Sequence, residues 1–343
     1  MSLKFKNLSS AFIVAELSAN HNRSLDTAKQ TIIAAKRAGA DAIKLQTYTP
    51  DTITIKSDSP DFIINNNSIW DGKYYYELYK EAYTPWEWHK ELYKLADELD
   101  LICFSSPFDK TAVDFLESIN NPIYKIASFE ITDIPLIKYI ASKNKPIILS
   151  TGIARLDDIK LAIDTCLDAG NNNIAILKCT SSYPAPIDEA NLCMISDLRE
   201  KFNLVTGLSD HTLGYLSPVI AVSFGAKIIE KHFILDKSID SPDSSFSLTE
   251  VEFKKMVNHV RQAEKTIGNV NYDLTTKQLD GRNFSRSLYI VEDVTKGDKI
   301  SEKNVKSIRP GYGLHPKYLK EILNKQFNAN LKKGTRLSLD HIK

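Results

Sequence analysis

The chain has 343 residues, which is enough for one large domain and a small one. It carries 44 basic and 43 acidic residues, and this balance gives no indication of binding to nucleic acid or to an anionic membrane. No run approaches the roughly 20 apolar residues of a membrane span, no secretory signal is evident, and the four cysteines show no metal-finger spacing. We therefore expect a soluble cytoplasmic protein with buried, reduced thiols.

Short apolar runs alternate with helical patterns along residues 1–268. The runs lie at 12–17, 41–46, 101–104, 122–127, 146–149, 174–178, 204–208 and 226–230. Helical periodicity is clearest at 24–37, 86–99, 216–225 and 250–267. Strict alternation predicts a parallel sheet, and eight units at this length predict an α/β fold of the (β/α)8 TIM-barrel type.

A long insertion between the second and third runs is rich in aromatic residues. These are Trp70, Tyr74, Tyr75, Tyr76, Tyr79 and Tyr83. Such a cluster either covers a binding site as a lid or only docks a long loop, and docking is the commoner arrangement. The sequence leaves both interpretations open.

Polar residues follow the apolar runs, at the strand ends where a TIM barrel carries its working groups. Some of the serines are explained equally well as helix caps. Lys44 and Lys125, however, interrupt apolar runs, and a buried ammonium group requires a partner. Two ammonium groups and several hydroxyls around one barrel mouth favour a phosphate-binding site. The strand-end residues are Glu16, Lys44, Gln46, Ser106, Lys125, Ser128, Glu130, Ser150, Ser181, Tyr183, Ser209, His211 and His232.

The last two runs form one βαβ unit with a histidine after each strand. Parallel strands point the same way, so His211 and His232 are expected on one face, within reach of a single ion. Two neutral imidazoles leave open positions on a divalent cation, as a catalytic site needs. The alternative is two unrelated polar strand ends.

The C-terminal part of the chain has a different sequence pattern. Residues 269–284 are polar and without apolar periodicity, which predicts a linker. Residues 285–343 contain a short strand pattern and two Lys-Gly turns, which predict a small β-rich domain. That domain is too small for much core alone, so we expect it to pack on a barrel, its own or a partner's. Arg309 stands beside a Pro-Gly turn and is either functional or simply solvated.

Many of these residues lie in motifs that resemble the sialic acid synthase family. The variants TYTPDTIT, TPWEWH, SFEI and GLHPKY are more similar to its pseudaminic acid synthase branch than to its N-acetylneuraminate branch. The match covers nearly the whole chain, including a C-terminal antifreeze-like (SAF) domain. The family motifs are AELSANHN at 15–22, IKLQTY at 43–48, FSSPFD at 104–109, YKIASFE at 124–130, ILSTG at 148–152, KCTSSYP at 178–184, GLSDH at 207–211, EKHF at 230–233 and IRPGYGL at 308–314.

The resemblance implies a transferase that condenses phosphoenolpyruvate with the open-chain aldehyde of an N-acetylated amino sugar. Phosphate leaves by C–O cleavage, and the product is a nonulosonic acid. For this branch the acceptor would be 2,4-diacetamido-2,4,6-trideoxy-L-altrose. The family also implies a divalent ion (Mn²⁺, Mg²⁺ or Co²⁺) and a domain-swapped homodimer in which one SAF domain covers the partner's barrel.

The resemblance also implies a role for each matching residue. His211 and His232 match the metal ligands, and Glu16 matches the carboxylate that handles the proton of the water added at C2. The phosphoenolpyruvate-binding positions are Lys44, Ser106, Lys125, Ser128, Ser150, Ser181 and Ser209. The sugar-binding positions are Gln46, Glu130, Tyr183, Asp243 and Arg309, the last reaching across the dimer to the sugar's N-acetyl group.

The chain departs from the N-acetylneuraminate branch at two positions. Ser181 replaces an asparagine, which weakens its assignment to phosphate. Phe129 replaces a glycine and adds bulk that would suit a methyl group at C6 of the sugar.

Three other functions remain open. The first is a legionaminic or N-acetylneuraminic acid synthase with a D-configured acceptor. The second is another phosphoenolpyruvate aldol synthase, such as a 3-deoxy-heptulosonate synthase, against which the SAF tail argues. The third is a non-catalytic carbohydrate-binding barrel, which would have no reason to combine Glu16, both lysines and both histidines at its strand ends.

Overall fold

The computed structural model describes residues 3–65 and 68–343. The chain divides into two units, Met1–Gly268 and Asn269–Lys343. Within the described residues of the first unit, eight parallel strands close into a barrel in chain order, which confirms the predicted TIM-barrel class. The strands are β1 Phe12–Glu16, β2 Ala42–Thr47, β3 Ile102–Pro107, β4 Tyr124–Ile126, β5 Ile147–Ser150, β6 Ile174–Cys179, β7 Val205–Asp210 and β8 Ile228–His232.

Helices surround the barrel and pack on its outer surface. Helix α1 shows how the sequence specifies one of them: Ser24 caps its first turn by accepting from the Thr27 amide, and Gly39 ends it at φ +92°. Its buried Ala28 and Ile32 join the apolar layer between strands and helices. The helices of this unit are α1 Leu25–Ala38, α2 Pro50–Ile53, α3 Tyr75–Ala82, α4 Trp86–Glu98, α5 Lys110–Ser118, α6 Ile134–Ala141, α7 Leu156–Asp168, α8 Met194–Phe202, α9 Leu216–Ser223 and α10 Glu250–Ile267.

The interior of the barrel changes from apolar to polar along the strands. Near the N-terminal ends, Phe12, Val14 and Phe104 form one apolar cluster with Phe5, which lies outside the strands. Side chains alternate along a strand, so the next inward positions continue this face toward the C-terminal ends. There they are polar and buried: Glu16, Lys44, Ser106, Lys125, Ser150, Ser209, Glu230 and His232.

The last two strands reach further than predicted. Strand β7 continues to Asp210 instead of ending at 208, and β8 runs from Ile228 to His232 instead of ending at 230. The reason is that the polar residues continue the backbone pairing between the two strands, since Ser209 pairs with Glu230 and Asp210 with Lys231. The two histidines therefore stand at, or directly after, a hydrogen-bonded strand end, which fixes their positions.

The second unit has a small core of its own. Strands β9 Ser287–Ile290 and β10 Val305–Ile308 pair antiparallel, and Leu288, Val305 and Phe327 lie in its buried cluster. The predicted linker segment contains helix α11 Thr276–Gly281, which periodicity did not indicate, and α12 Leu319–Ile322 follows β10. Among the described residues, no helix combines the length and the apolar character needed to cross a bilayer.

Candidate active site

Two lysines and two glutamates form a buried cluster at the C-terminal end of the barrel. Lys44 Nζ lies 3.0 Å from Glu16 Oε2 and 3.2 Å from Glu230 Oε1. Lys125 Nζ lies 3.2 Å from the same Glu230 oxygen, to which Ser209 Oγ donates over 2.9 Å. The strand register places Glu16 opposite Lys44 and Ser209 opposite Glu230, so adjacent inward positions bring these groups together.

Burial and ion pairing compete in setting the pKa values of this cluster. Burial raises the pKa of Glu16, and Lys44 offsets this only in part. Burial also acts to raise the pKa of Glu230, but Lys125 and Lys44 outweigh it and hold that pKa well below its usual range. Burial lowers the pKa of Lys125. The Glu230 carboxylate opposes this shift only in part, and it is shared with Lys44. The Lys125 ammonium group would therefore be stabilised by an additional anion.

Serine hydroxyls surround the two lysines. Those of Ser106 and Ser150 are buried and have no hydrogen-bond partner in the part of the chain that the structure describes. An unpaired buried hydroxyl costs about 1–3 kcal/mol, so both are suited to bind a ligand. Ser128 Oγ and Ser181 Oγ lie 2.6 Å apart. A Cβ at Gly152 would lie 2.0 Å from Ser181 Oγ, so only a glycine here provides room for the contact between the two hydroxyls.

The two histidine rings are adjacent in an edge-to-face arrangement, with centroids 5.3 Å apart. His211 Nδ1 lies 3.0 Å from the Thr180 carbonyl oxygen. That hydrogen bond assigns the proton to Nδ1 and leaves the Nε2 lone pair free. Among the described residues His232 Nδ1 has no hydrogen-bond partner, and it lies 3.6 Å from Asp243 Oδ2. Burial lowers the pKa of His232 well below its usual range, so this ring is neutral.

Free lone pairs on two adjacent imidazoles fit a divalent cation. Burial acts to lower the pKa of His211, but the neighbouring Cys179 thiol and the Thr180 carbonyl outweigh it and raise that pKa. A cation would therefore compete with a proton for His211. Within the described ranges, no group of three or more His, Cys, Asp and Glu residues is arranged to hold a metal. The two histidines would thus supply part of a coordination shell and leave positions for substrate or water.

A cavity of about 450 Å³ is lined in part by His232. Gln46 forms part of its polar side and donates from Nε2 to Glu16 Oε1 and Ser18 Oγ, both over 2.9 Å. Burial raises the pKa of Asp243 and raises that of Glu130 to about 7. The cavity is large enough for a small sugar, and its polar lining residues include the His232 imidazole. The polar lining residues are Ser18, Gln46, Ser128, Glu130, Tyr183, His232 and Asp243.

The loop after β8 carries Asp243 and is fixed by Asn20. The Asn20 amide donates to the Phe233 carbonyl over 2.9 Å and to Ser247 Oγ over 2.8 Å. Ser241 Oγ donates to Asn20 Oδ1, and Ser247 Oγ donates to the Asp243 carbonyl. All of these groups are buried, so the loop presents Asp243 to the cavity in a defined position.

A buried ion pair joins the two histidine-bearing strands. Lys231 Nζ lies 2.6 Å from Asp210 Oδ2 and also donates to the Thr212 carbonyl. Each partner directly precedes a histidine, Asp210 before His211 and Lys231 before His232. The pair therefore holds β7 and β8 in register on the side of the strands opposite to the imidazoles.

The aromatic insertion lines the cavity. Trp70, Tyr75 and Tyr79 are among the lining residues. The Trp70 indole N–H donates to the Pro242 carbonyl over 3.2 Å, and its ring centroid lies 5.5 Å from that of Tyr183. The insertion is thus docked and also forms a wall of the site, so the two interpretations left open by the sequence both describe it.

The structure brings the predicted barrel residues together, but Glu230 was missed. Lys44 and Lys125 lie within strands β2 and β4, and the other predicted barrel positions lie near or beyond the C-terminal end of a strand. Asp243 joins them from the loop after β8. The signal for Glu230 was present, since it interrupts a buried run just as Lys44 does. Arg309 lies in the second unit, exposed and directly after β10. The predicted role of each residue stays a prediction.

The chain matches known families over most of its length. Residues 31–272 match the NeuB family, and residues 285–343 match the SAF domain. A pseudaminic acid synthase from Campylobacter jejuni subsp. jejuni serotype O:2 is 51% identical over 326 residues, which cover 95% of each chain. A pseudaminic acid synthase from Helicobacter pylori is 49% identical over 331 residues, which cover 96% of this chain and 97% of that protein.

Solved structures agree with these matches. The spore coat polysaccharide biosynthesis protein SpsE from Bacillus subtilis superposes with a TM-score of 0.66 at 33% identity. The superposition covers 100% of this chain and 99% of that one. The similarity therefore extends over both units of the chain and is not confined to the barrel.

The raised pKa of Glu130 predicts a specific pH dependence of stability. Its pKa of about 7 in the folded protein lies above its ordinary value of 4.5. The unfolded chain therefore releases this proton first, and the Glu130 contribution to stability falls as the pH rises from 4.5 to 7. A Glu130→Gln variant lacks this loss, so its stability relative to the wild type should rise by about 3 kcal/mol across that range.

Urea unfolding at pH 5 and pH 8 measures this difference. The three tryptophans Trp70, Trp86 and Trp88 all lie in the first unit, so their fluorescence follows the barrel. An equal stability difference between the two proteins at both pH values would contradict the prediction.

Proposed function

This chain belongs to the NeuB family, which confirms the resemblance seen in its motifs, and we propose that it catalyses pseudaminic acid synthesis. In this reaction phosphoenolpyruvate condenses with open-chain 2,4-diacetamido-2,4,6-trideoxy-L-altrose, and phosphate is released. The observation that carries the proposal is that a buried cluster of lysines and serines lies at the same end of the barrel as two adjacent imidazoles. Ser128 and His232 line the cavity beside them. About half of the residues are identical to those of two pseudaminic acid synthases, which supports this acceptor over its D-configured alternatives.

The phosphate and carboxylate of phosphoenolpyruvate bind at the lysine cluster. Lys44 and Lys125 supply the positive charge, and the buried hydroxyls of Ser106 and Ser150 supply donors that lack protein partners within the described residues. Ser128, Ser181 and Ser209 complete the set. Lys125 shares the Glu230 carboxylate with Lys44, so an incoming anion would give the Lys125 ammonium group a further partner.

His211 and His232 would hold the divalent cation that the family resemblance implies, namely Mn²⁺, Mg²⁺ or Co²⁺. When bound, it acts as a Lewis acid on the acceptor's aldehyde oxygen. The Thr180 carbonyl orients the His211 ring so that Nε2 points away from the backbone. The Tyr183 ring packs against the His211 ring, with centroids 4.4 Å apart.

Glu16 handles the proton of the water that adds to the substrate. C3 of phosphoenolpyruvate forms the new C–C bond to the aldehyde carbon, whose oxygen becomes a hydroxyl by gaining one proton. Water bonds to C2 and loses one proton to Glu16, so the two proton transfers balance. The C2–O bond to phosphate then breaks, the proton of the C2 hydroxyl passes to the departing phosphate, and a ketone remains. The raised pKa of Glu16 suits it to accept a proton, and its negative charge stabilises the cationic character of C2.

The acceptor sugar occupies the cavity. Gln46, Glu130, Tyr183 and Asp243 offer hydrogen-bonding groups along its polar side. Gln46 is itself held by Glu16 and Ser18, so it links the sugar position to the proton-handling carboxylate. This connection places the aldehyde end of the sugar near the reacting carbon.

The active form is a domain-swapped homodimer in which the partner's Arg309 completes the sugar site. Exposed apolar side chains on the loops after β4 to β7 support this, because a monomer would leave them in water. A second copy's SAF domain would cover them and bring the exposed arginine to the cavity. These side chains, each 47–60% exposed, are Phe129, Ile153, Leu156, Ile187, Leu213 and Leu216.

Phosphate release tests the reaction. Phosphoenolpyruvate is supplied with the L-altrose acceptor, with its D-configured legionaminic acid counterpart, or with N-acetylmannosamine. We expect release only with an acceptor, fastest with the L-altrose sugar, and abolished by a chelator. Phosphoenolpyruvate labelled with ¹⁸O at its bridging oxygen should transfer the label to phosphate, as C–O cleavage requires. No release with any sugar would overturn the proposal, and fastest release with a D-configured sugar would overturn the acceptor assignment.

Metal binding tests the histidine pair independently of turnover. We expect His211→Ala and His232→Ala each to weaken Mn²⁺ binding at least about tenfold, because each removes a direct ligand. Electron paramagnetic resonance titration measures free Mn²⁺. His259→Ala, on the exposed side of α10, is the matched control and should bind as the wild type does. Unchanged affinity in both site variants would contradict the assignment.

Subunit mixing tests the role of Arg309. Arg309→Ala alone should bind phosphoenolpyruvate normally and bind the sugar poorly, whereas His211→Ala should be inactive. If Arg309 acts across the dimer, each mixed dimer has one intact site. Random exchange of equal amounts should then restore about a quarter of wild-type activity. Mixing without any recovery, despite exchange seen by mass spectrometry, would show that Arg309 does not act on the partner's barrel.

A further inference from the structure

One face of helix α3 is turned toward the cavity. Tyr75, Leu78, Tyr79 and Ala82 all line it, and they are spaced i, i+3, i+4 and i+7, which is a single stripe along a helix. Such a stripe ordinarily packs into a protein core. None of these four residues belongs to the apolar clusters of the described part of the barrel. The stripe therefore encloses the cavity instead of contributing to the core.

Aromatic contacts hold this face in place. The ring centroid of Tyr79 lies 6.1 Å from that of Tyr75 and 5.7 Å from that of Tyr48, which is buried. Tyr48 in turn packs edge-on against Phe108, with centroids 5.1 Å apart. Since the helix is anchored through these rings, its cavity-facing surface is formed before any ligand binds.

The cavity consequently has two chemically different sides. Gln46, Glu130 and Asp243 are polar, whereas α3 presents aromatic rings and the Leu78 side chain. A ligand that matches both sides needs hydrogen-bonding groups along one edge and methyl groups along the other. A uniformly hydroxylated sugar would place a hydroxyl against the Leu78 and Ala82 side chains, which offer it no hydrogen-bond partner.

We propose that the cavity-facing stripe of α3 is an apolar subsite that receives the deoxygenated C6 methyl group of the acceptor. This inference rests on the proposed function and extends it, because it assigns sugar discrimination to an element outside the βα repeat of the barrel. Phe129, which follows β4 and is 56% exposed, adds a further apolar side chain to the cavity lining.

The expected effect is a change in preference, not a general loss of rate. Burying one methyl group in an apolar pocket changes kcat/KM by about 10–200-fold. Two acceptors are compared: 2,4-diacetamido-2,4,6-trideoxy-L-altrose and the analogue that carries a hydroxyl at C6. We expect the wild type to prefer the trideoxy sugar. Tyr75→Ser and Leu78→Asn should each reduce that preference about tenfold, mainly through KM for the trideoxy sugar.

Tyr76→Ser is the matched control. Tyr76 neighbours Tyr75 on the same helix but does not line the cavity, and its hydroxyl donates to Asp51 over 3.2 Å. This variant should keep the wild-type preference, and all three variants should keep the wild-type KM for phosphoenolpyruvate. Circular dichroism confirms that each is folded, and using two cavity-facing variants guards against the collapse of one.

The outcomes separate this inference from the proposed function. A wild type that releases no phosphate with any sugar removes the proposed function and this inference with it. A wild type that prefers the trideoxy sugar while Tyr75→Ser and Leu78→Asn keep that preference overturns only the inference. So does a Tyr76→Ser variant that shifts the preference as much as Tyr75→Ser does.

Discussion

The site depends on opposite charges buried together at the mouth of the barrel. Lys44 and Lys125 sit among carboxylates in a part of the barrel without solvent access, where an unpaired ion would cost several kcal/mol. Strand register makes the pairing possible, because it sets Glu16 beside Lys44 in the same inward layer. The carboxylate of Glu230 then holds both lysines within hydrogen-bonding distance. The carboxylates thereby keep the two lysines protonated where water is largely excluded, and the ammonium groups can bind a phosphate.

Different elements of the fold supply the polar and the apolar side chains around this cluster. Inward strand positions supply charges and hydroxyls, and α3 supplies an apolar wall. The imidazoles come from His211, directly after β7, and from His232, the last residue of β8. A substrate with an anionic part and a second substrate with both hydroxyl and methyl groups would each meet matching surfaces. The barrel itself determines where charge is placed, and the insertion determines the shape of the remaining space.

The sequence predicted the barrel and its strand-end residues because both depend on local pattern. Apolar runs alternating with helices define the fold, and charges inside those runs, such as Lys44, mark the site. Glu230 interrupts a buried run in the same way but was overlooked, and its pairing with Lys125, 105 residues away in the chain, is visible only in the structure. The α3 wall was left undecided because a helical stripe looks the same whether it faces a core or a cavity. The domain limits at 268 and 284 remain predictions.

The Asp210–Lys231 pair has a consequence for how this chain can diverge. Losing either partner alone leaves a lone buried ion, which typically costs 3–5 kcal/mol, whereas exchanging both for apolar residues is often neutral. A single substitution at either position would therefore remove a large part of the stability of an ordinary, marginally stable protein. Among descendants of this sequence, the two positions should change jointly or not at all, and their covariation would trace the ancestry of the histidine-bearing strands.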